Sequence, residues 1–64
     1  MLTEREKQVV YYICKDYKYG MIAHELGLSF ETIKTYVTRI RKKLNVSSKV
    51  GIVLWAKDNK LFED

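Results

Sequence analysis

Residues 20–44, GMIAHELGLSFETIKTYVTRIRKKL, decide how this chain folds. Upstream of Gly27, Met21 or Ile22 together with Ala23 and Leu26 recur at helical spacing and give a short helix of about residues 20–27 one apolar side. Gly27 stands where a helix end takes the left-handed conformation that glycine tolerates best. Ser29, two residues on, is a good N-cap for a further helix of about residues 29–44. In that helix Ile33, Val37, Ile40 and Leu44 fall within about 40° of one line at about 100° per residue. Each apolar side needs a partner, and the tight turn at Gly27 lets the two helices supply it to one another. The pair reads as a helix-turn-helix.

Working outward, the N-terminal stretch predicts a helix over about residues 3–16. It opens on Thr3 with Glu6 three residues later, the capping-box pattern in which each side chain accepts the other residue's backbone N–H. Val10, Ile13, Cys14 and Tyr17 follow as one buried stripe, with Cys14 read as core packing rather than as a nucleophile. The second helix has no comparable start, because Tyr17, Lys18 and Tyr19 offer no short polar cap. On the other side, Ser47 or Ser48 caps a fourth helix over about residues 48–58. Its Val50, Ile52, Val53, Leu54, Trp55 and Ala56 run nearly all round the helix, more apolar surface than one small core covers. Either the helix is buried on two sides or one side, with Val50, Val53, Leu54 and Trp55 as the candidate dimer interface, meets another subunit, Trp55 being open between core and partner. No apolar pattern alternates at two, so the fold class is all-α, a four-helix single domain over residues 1–64.

Length and composition narrow the function. A core in 64 residues supplies only about 3–5 kcal/mol, and no sizeable pocket can be built around it. Cys14 is the only cysteine and His24 the only histidine, which excludes an internal disulfide and leaves no metal-ligand spacing; no metal and no cofactor are expected. Without a nucleophile beside a base or a phosphate loop, no catalytic residues are assigned and the chain reads as a non-enzyme. No apolar run approaches the roughly 18–20 residues that cross a bilayer, no secretory leader is visible, and a cytoplasmic protein without membrane contact is expected. Since the chain opens on Met1, it is read either as a stand-alone regulator or as an excised domain.

The charge distribution points to the partner. Net charge is +4, and the acidic residues are Glu4, Glu6, Asp16, Glu25, Glu31, Asp58, Glu63 and Asp64. The stretch from Thr32 to Lys57 thus holds none, while it carries Lys34, Arg39, Arg41, Lys42, Lys43, Lys49 and Lys57. Such a block is the footprint of a phosphate-binding surface. On the third helix Glu31, Thr35, Thr38 and Lys42 lie opposite the apolar line, with Lys34 and Arg41 on one edge and Arg39 on the other. Short side chains can approach base edges and long cations can reach phosphates. Ser29, Glu31, Thr32, Lys34, Thr35, Thr38, Arg39, Arg41 and Lys42 are the assigned contacts to double-stranded DNA. The tyrosines at 11, 12, 17, 19 and 36 are spread over three segments and read as packing residues rather than base-stacking ones.

Leu2, Thr3, Arg5 and Glu6, then Ile22, Ala23, Leu26, Ser29, Thr32, Ile33 and Lys34, and further on Ile40, Lys43, Leu44, Val46, Val53 and Ala56, make the chain resemble the LuxR-type (GerE-like) DNA-binding domain over nearly its whole length. The resemblance implies a four-helix transcription regulator whose third helix lies in the major groove and whose fourth commonly forms a homodimer contact. By resemblance Lys34 contacts DNA and Trp55 lies in the interface segment. The chain departs from the pattern at Lys18, Tyr19, Gly20 and Met21, where a small polar cap and a phosphate-contacting lysine are usual. It departs again at Tyr36, Lys49 and Lys60, which stand for a usual histidine, arginine and glycine. RNA polymerase is a further candidate partner. The alternative is a sigma region 4-like, polymerase-contacting or protein-binding helix-turn-helix without DNA affinity of its own; against the sigma reading stands the apolar segment after the third helix.

Overall fold

A computed structural model describes residues 1–62; Glu63 and Asp64, counted above among the acidic residues, lie outside them. Four helices follow one another: α1 (Glu4–Cys14), α2 (Tyr19–Leu26), α3 (Phe30–Leu44) and α4 (Lys49–Asp58). No strand occurs among the described residues.

The capping box at the start of α1 is complete. Thr3 Oγ1 accepts the Glu6 N–H at 3.1 Å, and Glu6 Oε1 accepts the Thr3 N–H at 2.8 Å. The helix stops earlier than its apolar spacing suggests, because the Lys15 N–H closes on the Tyr11 and Tyr12 carbonyls and Asp16 turns left-handed at φ 65°. The buried stripe is accordingly Glu6, Val9, Val10 and Ile13. Cys14, read from sequence as core packing, is instead exposed, and Tyr17 is only half-buried. The reason is angular: Cys14 lies one residue, about 100°, beyond Ile13 and so at the rim of the stripe. There it lines a shallow cleft of about 320 Å³ with Val53, Ala56, Lys57 and Phe62, and partial burial pushes its thiol up.

Helix α2 starts without a side-chain cap at Lys18 and ends at Gly27, which is left-handed at φ 66° and ψ 33°. That conformation lets the Leu28 N–H reach back to the Ala23 carbonyl at 2.9 Å and sets α3 against α2. Of the two inward candidates, Ile22 is fully buried and Met21 is exposed. Ser29 caps α3, its Oγ accepting the Thr32 N–H at 3.1 Å. Asn45 closes α3 left-handed at φ 56°, and Ser48 rather than Ser47 caps α4.

The core gathers Val9, Val10 and Ile13 of α1, Ile22 and Ala23 of α2, Ile33, Val37 and Ile40 of α3, and Ile52 and Ala56 of α4. Truncating one such isoleucine to alanine costs about 2–5 kcal/mol, which is the whole stability expected of a domain this small. Each helix is therefore indispensable to the placement of the others. Gly51 sets how closely α4 approaches the α3–α4 turn, since a Cβ built on it would lie 2.8 Å from the Val46 Cβ. Helix α4 is covered on one side only: Ile52 and Ala56 enter the core, Val53 and Trp55 pack half-buried against it, and Val50 and Leu54 are 65% and 55% exposed.

Candidate nucleic-acid interface

Helix α3 carries the assigned residues, and its cap fixes the first of them. Ser29 Oγ is hydrogen-bonded to Thr32 Oγ1 at 2.8 Å as well as to the Thr32 N–H, so both hydroxyls are anchored at the helix start. Glu31, Lys34, Thr35, Thr38, Arg39 and Lys42 are exposed, while Thr32 and Arg41 are half-buried. The opposite face, Ile33, Val37 and Ile40, is locked in the core, so this polar face is held by packing and not by its own contacts.

Two threonines on the face carry a defined chemistry. Thr35 Oγ1 donates to the Glu31 carbonyl and Thr38 Oγ1 to the Lys34 carbonyl, each at 3.1 Å. With its single proton engaged, each hydroxyl offers outward only lone pairs and a methyl group, which suit an amino donor or a thymine methyl. Lys34 Nζ stands 3.8 Å from Glu31 Oε1 and 5.6 Å from the Phe30 ring centroid. Both partners are loose and the pair is solvated, so it contributes well under 1 kcal/mol and leaves the lysine free to reorient.

The seven cations of the acid-free stretch divide by what holds them. Lys43 turns away from the polar face: its Nζ donates to Glu6 Oε1 at 2.8 Å and to the Met1 carbonyl at 3.3 Å, which ties α3 to the start of α1. Burial alone pushes the Glu6 carboxyl up, but the hydrogen bonds from Lys43 and Thr3, with the Lys43 charge, hold it below its ordinary value. Arg41 is partly engaged, Nη1 donating to the Ser47 carbonyl at 3.3 Å while Nε is buried without a hydrogen-bond partner among the described residues. Lys49, unassigned from sequence, sits at the first turn of α4 beside this same edge of α3. Its signal in the sequence was its place directly after the cap Ser48, where a basic residue opposes the helix dipole.

His24 is exposed, and no group of His, Cys, Asp and Glu among the described residues could hold a metal ion. Among the described residues no helix is long and apolar enough to cross a membrane.

Residues 1–56 match the family model of bacterial regulatory proteins, luxR family. The chain is also 35% identical over 63 residues to the Response regulator protein VraR of Staphylococcus aureus (strain NCTC 8325 / PS 47), of Staphylococcus saprophyticus and of Staphylococcus epidermidis. Each match covers 98% of this chain and 30% of the relative, so the chain spans about a third of the length of those curated relatives. With the helix-turn-helix of α2 and α3, the buried faces that join them and the polar face of α3 in place, the family match settles what kind of domain this is: the chain belongs to the luxR family of bacterial regulatory proteins, a helix-turn-helix family of DNA-binding transcription regulators.

Proposed function

We propose that this chain reads a specific duplex DNA site by laying α3 in the major groove. The observation that carries the reading is the exposed face of α3: Glu31, Lys34, Thr35, Thr38 and Lys42 project from a helix whose other side is fully buried, and all are either short enough for base edges or cationic. Lys34, Thr35 and Thr38 meet bases, with Glu31 placed to accept from a cytosine amino group. Ser29, Thr32, Arg39, Arg41 and Lys42 meet the backbone. The action is binding without catalysis.

Two chains pair through α4, with Val50, Val53, Leu54 and Trp55 at the contact, and read half-sites about one helical turn apart. The large exposed side chains of Val50 and Leu54 support this, as they find no cover among the described residues. RNA polymerase is the further partner proposed at the regulated promoter, and the relatives' printed name, response regulator, supports a regulatory role.

The test is selection of bound sequences from a random duplex pool at two salt concentrations, followed by titration of the recovered site. Lys34→Ala is expected to cost about 1–3 kcal/mol of affinity and to relax the preference at one base position. An effect no larger than that of Lys7→Ala, on α1, would refute the placement of α3. An absence of any salt-dependent DNA binding would instead favour a protein partner for α4.

A further inference from the structure

A groove of about 210 Å³ runs along one edge of α3 and is lined by Tyr19, Lys34, Val37, Thr38, Arg41 and Lys49. Three helices build it, three of its six residues are cations, and no carboxylate among the described residues lines it. Lys49 Nζ stands 5.3 Å from the Tyr19 ring centroid and 3.4 Å from the Tyr17 carbonyl oxygen. A ring face and a carbonyl dipole orient an ammonium without neutralising it. The ion pairs formed among the described residues involve Lys7, Lys34 and Lys43, so Lys49, unlike Lys43, faces no carboxylate among them.

Its place in the helix makes the point stronger. Lys49 is the first residue of α4, whose first turn holds no acidic residue. A cation there opposes the helix dipole. The chain thus breaks a local rule at a position where the side chain is also held facing the recognition helix, and such violations collect at functional sites.

We propose that Lys49, oriented by Tyr19, grips a DNA backbone phosphate beside the Lys34–Arg41 edge of α3. The assignment rests on the reading of α3 as the major-groove helix. With α3 in the groove, this edge faces one of the two phosphate strands, and the first turns of α2 and α4 are the next protein surfaces outward. The free backbone N–H groups at the uncapped start of α2 add to the anion-attracting field at the same place. Tyr19 is a positioning residue, its ring fixing the flexible lysine stem before DNA arrives.

The experiment measures affinity and its salt dependence for the full chain on a duplex carrying the selected site and on a duplex of arbitrary sequence. The variants are Lys49→Gln, Lys49→Arg, Lys34→Ala and, as a control for lost charge on the same helix, Lys57→Gln, each verified as folded by circular dichroism. Loss of one phosphate contact lowers the slope of log affinity against log salt by about 0.9 and weakens binding about five- to tenfold near 0.1 M salt. Lys49→Gln is expected to show both losses equally on the two duplexes, Lys49→Arg to keep wild-type behaviour, and Lys57→Gln to change the slope little. In addition Tyr19→Leu should weaken binding when Lys49 is present and have no further effect with Lys49→Gln, a coupling that lost packing alone does not produce. If Lys49→Gln behaves as Lys57→Gln while Lys34→Ala still weakens the selected site, the Lys49 contact is refuted and the α3 reading stands. If the wild-type chain binds neither duplex, the α3 reading itself falls.

Discussion

Replacing Glu6 by alanine strips two interactions from one buried point and leaves its backbone bond to Thr3 in place. Glu6 is 3% exposed, its Oε1 accepts both the Thr3 N–H and the Lys43 ammonium at 2.8 Å, and its own N–H donates to Thr3 Oγ1. Loss of half the capping box costs about 1 kcal/mol. The ion pair contributes about 1–2 kcal/mol more, less than a fully buried pair because the Lys43 side chain is 38% exposed to solvent. A total of about 2–3 kcal/mol is most of what a domain of this size holds, and the melting temperature should fall by about 10–20 °C. Glu6→Gln keeps the shape and an acceptor oxygen and loses only the charge, so about 1 kcal/mol is expected. The sign of the pH dependence follows from the lowered carboxyl. A folded-state value below the unfolded one adds stability that is complete above the ordinary value of 4.5 and is lost as pH falls through the lowered value. Urea unfolding followed by far-ultraviolet circular dichroism at neutral and acid pH should therefore find a gap between wild type and Glu6→Gln that closes on acidification. A Glu6→Ala variant within about 0.5 kcal/mol of wild type, the range of an ordinary surface change, or a gap independent of pH, would refute the account.

Gly51→Ala sets helix propensity against packing. Alanine gains about 1 kcal/mol in a helix, but its Cβ would lie 2.8 Å from the Val46 Cβ, an atom at the root of its side chain that no rotamer change moves. A net loss of about 1–2 kcal/mol is expected, and a raised unfolding midpoint would show that α4 can shift outward. Thr38→Val keeps the outward methyl and removes a hydroxyl already bonded to the Lys34 carbonyl. Affinity for the selected site should change by less than about threefold if that methyl meets a thymine, since no bond worth 1 kcal/mol is lost; a tenfold loss would assign the hydroxyl to a base or phosphate. Leu54→Glu places a charge on a side chain 55% exposed. It should leave the isolated fold stable while converting the sedimenting species on DNA from two copies to one, and an unchanged mass would remove α4 from the contact.

Much of the fold was legible because the sequence marks it chemically. Thr3 with Glu6, Ser29 and Gly27 are residue choices with one local meaning, and all three act in the structure as their chemistry dictates. Periodicity gave the inward line of α3 correctly, since fifteen residues average out the ambiguity of any one. The misplaced Cys14 comes from the opposite situation. A stripe followed past its last full turn drifts onto the rim, and only the stop imposed by Asp16 in a left-handed conformation shows where the helix has ended. Local pattern also cannot tell a cation facing solvent from one facing another helix. Lys42 and Lys43 are neighbours in sequence with the same chemistry, and the Glu6 carboxylate that separates them is 37 residues away along the chain.

That sorting of cations changes the number expected from a salt titration. Seven basic residues lie in the acid-free stretch, and if each neutralised one phosphate, log affinity would fall against log salt with a slope of about 6 per domain. Lys43 is held by Glu6 and the Met1 carbonyl, Arg41 is partly held by the Ser47 carbonyl, and Lys57 sits in the last turn of α4, favourable to that helix dipole, beside the cleft at Cys14. Arg41, being only partly held, stays among the proposed backbone contacts, so four cations are expected at phosphates, Arg39, Arg41 and Lys42 on α3 with Lys49 at the flank, while Lys34 meets a base. The expected slope is about 3–4 per domain. Lys43→Gln should then lower the unfolding midpoint and leave the slope alone, whereas Lys42→Gln should do the reverse. A wild-type slope near 6, or one that falls with Lys43→Gln, would mean that Lys43 abandons Glu6 on the DNA, and the bond between α1 and α3 would have to be counted as a cost of binding rather than as part of the fold.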